Sequence, residues 1–222
     1  MALKRCCCLL VARGLDVASS FDHSNKDNRD DAGATLPSGF TNPPLDWLVR
    51  TWSVTHSTLA MWRSARNLRI TYSPLPPSPP STEGPRPRID DLVEYEKSSG
   101  KGGLKTVAGI DTACGSSDTG SWDWRGKGLL GFVTSHWEIV GWGEREVEGS
   151  SGEVESWVVT WFAPTLFTKE GLDLYSSRKE GMSPKLAEEI IAKLKELDAP
   201  EVVEMVKQDM NEVQIQLPWK ET

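Results

Sequence analysis

Arg50-Thr-Trp-Ser-Val-Thr-His56 and, more than a hundred residues later, Leu172-Asp-Leu-Tyr-Ser-Ser-Arg178 are the stretches on which the fold is read. Both have the composition and length of a strand, and the second leads into an apolar pattern of helical period. A planar guanidinium over an indole face gains about 0.5–2 kcal/mol of cation–π attraction, more when the pair is dry. Trp52 on a first strand and Arg178 just after a last one can therefore close one end of a rolled sheet, and the two are expected to touch.

Working outward, eight strands are predicted over 51–58, 67–73, 90–97, 104–111, 121–132, 134–143, 154–162 and 171–177. Gly-Lys-Gly at 126–128, Gly-Ser-Ser-Gly at 149–152 and Lys-Glu-Gly at 169–171 punctuate them as hairpin loops. Closing the sheet removes the exposed edges that an open sheet would leave. Ala60-Met-Trp-Arg-Ser-Ala65 interrupts the alternation and reads as a loop or short helical turn. Prolines at 74, 76, 77, 79, 80, 85 and 87 remove backbone donors, which makes 74–88 an extended loop. Ser183-Pro184 is a helix start, after which Leu186, Ile190, Leu194 and Leu197 form one apolar stripe. A second start at Pro200 places Val203, Val206 and Met210 on another. Residues 18–43 are rich in Ser, Asp, Asn, Gly and Pro and offer little to bury. The expected organisation is a disordered tail over 1–43, a barrel over 44–181 and a helical segment over 182–222 packed outside it.

This layout resembles the lipocalins. Trp52-Ser-Val-Thr-His56 and Arg66-Asn-Leu-Arg-Ile-Thr-Tyr72 look like that family's first two strands, and His136-Trp-Glu-Ile-Val-Gly-Trp142, Trp157-Val-Val-Thr-Trp-Phe162 and Leu172 to Arg178 look like its last three. The chain also resembles uncharacterised lipocalin-like proteins of filamentous fungi. One departure is Arg50, where the family usually has glycine two residues before its Trp. The resemblance implies a mainly β fold, an eight-stranded antiparallel up-and-down barrel with helices outside, and makes Met61 and Trp62 candidates for a lid over one mouth.

Composition narrows the function. A formal charge of −7 and a pI near 5.1 argue against a nucleic-acid partner, which calls for a basic face. Ten tryptophans suit either a cavity lined by flat apolar surfaces or a Trp-rich core. Cys6, Cys7, Cys8 and Cys114 form neither a spaced disulfide framework nor a zinc-ligand spacing, so no metal and no cofactor is expected. Met1 to Ala12 has the basic end and apolar run of a signal peptide, but the run is short and Arg13 and Asp16 follow quickly. A cytoplasmic location is expected, with secretion the alternative and lipidation of the cysteine run a further one. No stretch approaches the roughly 20 apolar residues of a transmembrane helix.

Alternation from an inward Trp52 turns Val54, His56 and Thr58 inward, which offers His56 as a catalytic or ligand-contacting group or as a histidine satisfied by the backbone near the rim. On the sixth strand His136, Glu138, Val140 and Trp142 share one face, and Trp137, Ile139 and Gly141 the other. With the first face inside, His136 and Glu138 form an acid/base pair at the cavity wall; with it outside, they are solvated. Arg125 and Lys127 can likewise enter the cavity to receive a carboxylate or face water. Candidate ligand contacts are Val54, His56, Met61, Trp62, Tyr72, Trp142 and Trp161. The function expected is binding of a small hydrophobic molecule, such as a lipid, terpenoid or polyketide-like compound, in a Trp-lined cavity. The alternative is a lipocalin-like cyclase, pericyclase or isomerase acting on an apolar intermediate of secondary metabolism, in which enclosure speeds an intramolecular step. A third reading makes the Pro-rich loop a docking segment for SH3 or WW domains.

Overall fold

A computed structural model describes residues 40–79 and 84–221. It contains the strands β1 (Thr51–Ser57), β2 (Ala65–Leu75), β3 (Arg88–Lys97), β4 (Lys105–Ala113), β5 (Ser121–Gly126), β6 (Thr134–Glu146), β7 (Val154–Phe162), β8 (Gly171–Ser176) and β9 (Asn211–Glu212), and the helices α1 (Leu45–Leu48), α2 (Pro184–Leu194) and α3 (Pro200–Asp209). Each of β2 to β7 pairs antiparallel with the next, and β1 pairs with both β8 and β2. The result is the closed eight-stranded up-and-down barrel with helices outside that the sequence predicts. The expected tail, apart from residues 40–43, lies outside the described residues.

Closure divides the apolar side chains into two cores. The inner one gathers Trp52, Val54, Leu68, Ile70, Tyr72, Ile89, Trp122, Trp137, Ile139, Val158 and Tyr175. The outer one packs Leu186, Ile190 and Leu194 of α2 and Val202 and Val206 of α3 against Trp157, Val159, Trp161, Leu172 and Leu174 on the outside of β7 and β8. Glu155, 1% exposed, anchors the turn into α2 by accepting hydrogen bonds from the Ser183 backbone N–H (3.0 Å) and the Ser176 hydroxyl (2.9 Å). On α3 the buried stripe is Val202 and Val206, one step around from the Val203 expected.

Three bulges break the alternation, and they decide which side chains enter the barrel. In β1 the register slips between Val54 and His56, in β2 between Arg66 and Arg69, and in β6 between Ile139 and Gly141. An extra residue in one strand shifts everything beyond it to the opposite face. Val54 faces inward opposite Tyr175, but His56 pairs with Leu174 of the outer core, so the inward orientation expected for His56 is corrected. Trp142, grouped with His136 in the sequence, pairs instead with inward Val158. In β2, Asn67 adopts a positive φ of 52°, a conformation that asparagine tolerates better than most residues.

The expected helical segment over 182–222 becomes extended after α3. β1 and β2 pair directly only from Thr51 to Ser53, and the chain from Asn211 onward enters the gap beyond. Glu212 pairs with His56, the Val213 N–H donates to Thr55 O (2.8 Å), and the Asn67 N–H donates to Gln214 O (2.8 Å). Val213, 2% exposed, joins the inner core through this seam. Asn67 clamps the segment further, with its Nδ2 donating to Gln216 O (2.8 Å) and its Oδ1 accepting from the Gln216 N–H (2.7 Å).

Candidate functional site

One end of the barrel is shut by aromatic packing. Helix α1 lies across it, the Trp52 indole N–H donates to Leu48 O (2.9 Å), and the Trp47 ring sits 5.2 Å from Trp52 and 4.7 Å from Trp142. The guanidinium over Trp52 belongs to Arg50, 5.1 Å from both the Trp47 and Trp52 rings. The expected Trp52–Arg178 contact is therefore corrected: Arg178 turns away to Glu153 (2.9 Å) and to Gly181 O. Arg50, the departure from the glycine usual in the resembled family, supplies the cation itself. Its Nη1 also donates to Ser156 Oγ (3.0 Å).

The opposite end, where β1 leads to β2 through a 3-10 turn over Ala60–Ser64, is the less tightly packed one. Inward-facing Val93, Tyr95, Val107, Trp124, Ser135 and Phe162 near that end are only partly buried, whereas Trp52, Ile89, Ala113, Trp122, Ile139 and Val158 nearer the shut end are wholly buried. This gradient describes a cup. Its floor is a stack in which the Trp137 ring lies 5.8 Å from Tyr72 and 5.8 Å from Trp122, at interplanar angles of 8° and 15°. At the rim Trp62 meets Tyr95 edge-on at 5.2 Å, and Met61, Leu129, Phe132, Leu166 and Phe167 stand in solvent, Leu129 being 94% exposed.

Three carboxyl groups face into this aromatic cup. Asp91 lies opposite Gly109 and Tyr72, Asp111 opposite Ile89 and Trp124, and Asp173 opposite Thr160 and Ser57. All three are buried. Trp137 Nε1 donates to Asp111 Oδ1 at 2.8 Å. Asp91 Oδ1, Asp111 Oδ2, Asp173 Oδ1 and Thr160 Oγ1 have no hydrogen-bond partner among the described residues. Ionised carboxylates are costly in such surroundings, and they respond by keeping their protons. Burial, with neighbouring Asp90 adding to it, raises Asp91 to about 7. Burial alone raises Asp173 to about 7 against the opposing hydrogen bond from Ser57. Burial and the adjacent Asp91 push Asp111 well above the carboxylate range. Burial also raises Tyr72 and Tyr175, which stay neutral. Near neutral pH this wall can both donate and accept hydrogen bonds. Gly109 makes room for it: a Cβ there would lie 2.0 Å from Trp124 Nε1, so the indole lies across bare backbone.

The expected contact residues divide by place. Val54, Tyr72 and Trp142 belong to the inner core, Trp62 and Met61 stand at the rim, and His56 and Trp161 lie outside. Burial lowers the His56 pKa against the pull of Glu212. His136 and Glu138 are brought together, with Nε2 3.0 Å from Glu138 Oε1, but on the outer wall, because their neighbour Trp137 faces inward. Hydrogen bonds with Asp123, Cys114 and Glu138 push His136 up to about 12. Arg125, between the inward Trp124 and Gly126, faces out as well. Asp91, Asp111 and Asp173 were missed in the sequence, although a lone Asp in a run such as Leu172-Asp-Leu-Tyr is a signal that can be sought.

No family model matches the chain, and no curated protein matches it. Among solved structures 39 chains match. One of them, apocrustacyanin C1, is similar to this chain with a TM-score of 0.47 and 9% sequence identity, over 76% of this chain and 78% of that one.

Proposed function

We propose that the barrel binds a small apolar molecule carrying a hydroxyl or carbonyl group, apolar body against the aromatic walls and polar end toward Asp91, Asp111 and Asp173. The observation that carries this reading is the set of unpartnered carboxyl oxygens facing into an aromatic interior that is less tightly packed at one end. An eight-stranded barrel encloses room for one small ligand at most, and apolar pockets with few convergent polar groups are the usual form of such sites. The exposed apolar rim suits entry of a poorly soluble molecule. A lipid, terpenoid or polyketide-like compound fits this description. The test is binding of a long-chain alcohol and of the alkane of equal length, followed by tryptophan fluorescence. The alcohol should bind roughly threefold to tenfold more tightly, the worth of one added hydrogen bond. Asp173→Asn and Asp91→Asn should change that preference. Equal affinities, or a preference unmoved by both substitutions, refute the polar end.

A second reading, an isomerase or cyclase of secondary metabolism working in a cytoplasmic setting, draws on Asp91 and Asp173. Carboxyls held near pH 7 populate both protonation states, which is the requirement of a general acid or base. Turnover of an added polyene or terpenoid precursor, falling at least about 100-fold in Asp91→Asn or Asp173→Asn with binding retained, separates enzyme from carrier. His56, His136 and Glu138, outside the barrel, take no part in either reading.

A further inference from the structure

We propose that Cys114, Asp123 and His136 bind one divalent cation of the zinc class on the outer wall of the barrel, with Glu138 orienting the histidine from behind. The fold assembles these residues from two strands and the residue that follows a third. Trp122 and Trp137 pair across β5 and β6 and point inward, so Asp123 and His136, the next pair in register, point outward together. Cys114 follows β4 directly and is tied to the same place by its N–H, which donates to Ser121 O at 3.0 Å.

The donor atoms are spaced for one ion. Cys114 Sγ lies 3.8 Å and Asp123 Oδ1 3.1 Å from His136 Nδ1, and all three donors lie within 4.8 Å of one another. Sulfur, nitrogen and oxygen donors on a tetrahedral zinc ion stand about 3.3–3.7 Å apart, given metal–ligand lengths of about 2.0–2.3 Å. The two pairs made by His136 need shifts of only a few tenths of an ångström, and the Cys114–Asp123 pair needs at most about 1 Å, which a rotation of the exposed Asp123 side chain supplies. The second nitrogen is already committed: Nε2 lies 3.0 Å from Oε1 of Glu138, whose side chain is 2% exposed. Once its near proton has left, a histidine whose far N–H donates to a buried carboxylate presents the other nitrogen as a lone pair, the usual arrangement behind a metal-bound imidazole. A thiolate and a carboxylate offset the charge of a divalent ion, and the thiol and imidazole protons leave to bulk water as it binds. Mixed sulfur and nitrogen donors select zinc over magnesium or calcium. Three protein ligands leave a fourth position facing solvent on the side of Asp123, whose side chain is 61% exposed.

The test uses the full chain with Cys6, Cys7 and Cys8 changed to Ser, so that Cys114 is the remaining thiol. Titration with Co²⁺ should give one equivalent with thiolate-to-cobalt charge-transfer absorption. Cys114→Ser should abolish that absorption, and Glu138→Gln should weaken affinity roughly 10- to 100-fold while leaving the absorption in place at saturation. Zn²⁺ at about 100 times its Kd should raise the melting temperature by roughly 5–10 °C, and should do so less in Asp123→Asn. Absence of charge-transfer absorption in the Cys114-only protein, or its survival in Cys114→Ser, overturns the proposal and leaves the cluster as an ion-pair network.

Discussion

Arg50 shows how one side chain can take over a task expected of another. Placed two residues before Trp52, it reaches back over both Trp47 and Trp52, each 5.1 Å away, and donates to Ser156. Arg50→Ala should cost about 1–2 kcal/mol of stability, whereas Arg178→Ala, which loses an exposed partner in Glu153, should stay within about 0.5 kcal/mol. Urea unfolding of both variants measures the difference, and equal losses exclude this assignment. Asp173 makes a separate prediction about pH. Its folded pKa of about 7 stands above the ordinary 3.8, so the native state keeps a proton that the unfolded chain releases. This favours folding below about pH 4, and the benefit is lost as pH rises towards 7, amounting to a few kcal/mol. Asp173→Asn should therefore flatten the decline in stability between about pH 4 and pH 7. An unchanged slope in the variant excludes Asp173 as its source.

At the scale of elements, strands and helices were legible because alternation, glycine turns and the Ser183-Pro184 helix start are local signals. The boundaries moved little, except that β5 ends at Gly126, where Lys127 begins a tight turn with Gly128 at a φ of 56°. What sequence could not show was the phase. A bulge leaves no fixed residue signature, so parity counted from Trp52 failed beyond Val54, and parity counted along β6 failed beyond Ile139. The result was to place His56 inside and to group Trp142 with His136. The Cys114–Asp123–His136 grouping was hidden for another reason: its members are nine and thirteen residues apart, on two strands and just after a third, and only pairing across the sheet unites them. These corrections separate two tryptophans from the same list. Trp161→Ala should cost about 3–5 kcal/mol by hollowing the core beneath the helices while leaving ligand affinity unchanged. Trp62→Ala at the rim should do the reverse, weakening ligand binding with a smaller loss of stability. Thermal melts and a binding titration on the two variants decide it.

For the molecule as a whole, the barrel's limits differ from those drawn on composition. Residues 40–43 belong to the shut end: Thr41 O accepts from Trp142 Nε1 (2.7 Å), Asn42 Nδ2 donates to Asp118 (2.9 Å), and Pro43 O accepts from Thr119 Oγ1 (2.6 Å). Deleting 1–43 should lower the melting temperature several degrees below that of the protein lacking only 1–39, as loss of three hydrogen bonds of about 1 kcal/mol each implies. Equal melting of the two truncations would return the boundary to residue 43. No helix among the described residues is long and apolar enough to cross a membrane.

The seam between β1 and β2 carries a consequence for synthesis. A ribosome delivers the chain from its first residue, and β1 to β8 emerge well before residues 211–216, which fill the gap beside Thr55 and Asn67. Until then the nascent barrel has an unfilled slot with bare backbone groups on both lips, the kind of edge on which another extended chain can zip. The interval in which a chaperone or a stray strand can engage this protein is thus set by the time taken to translate α2 and α3.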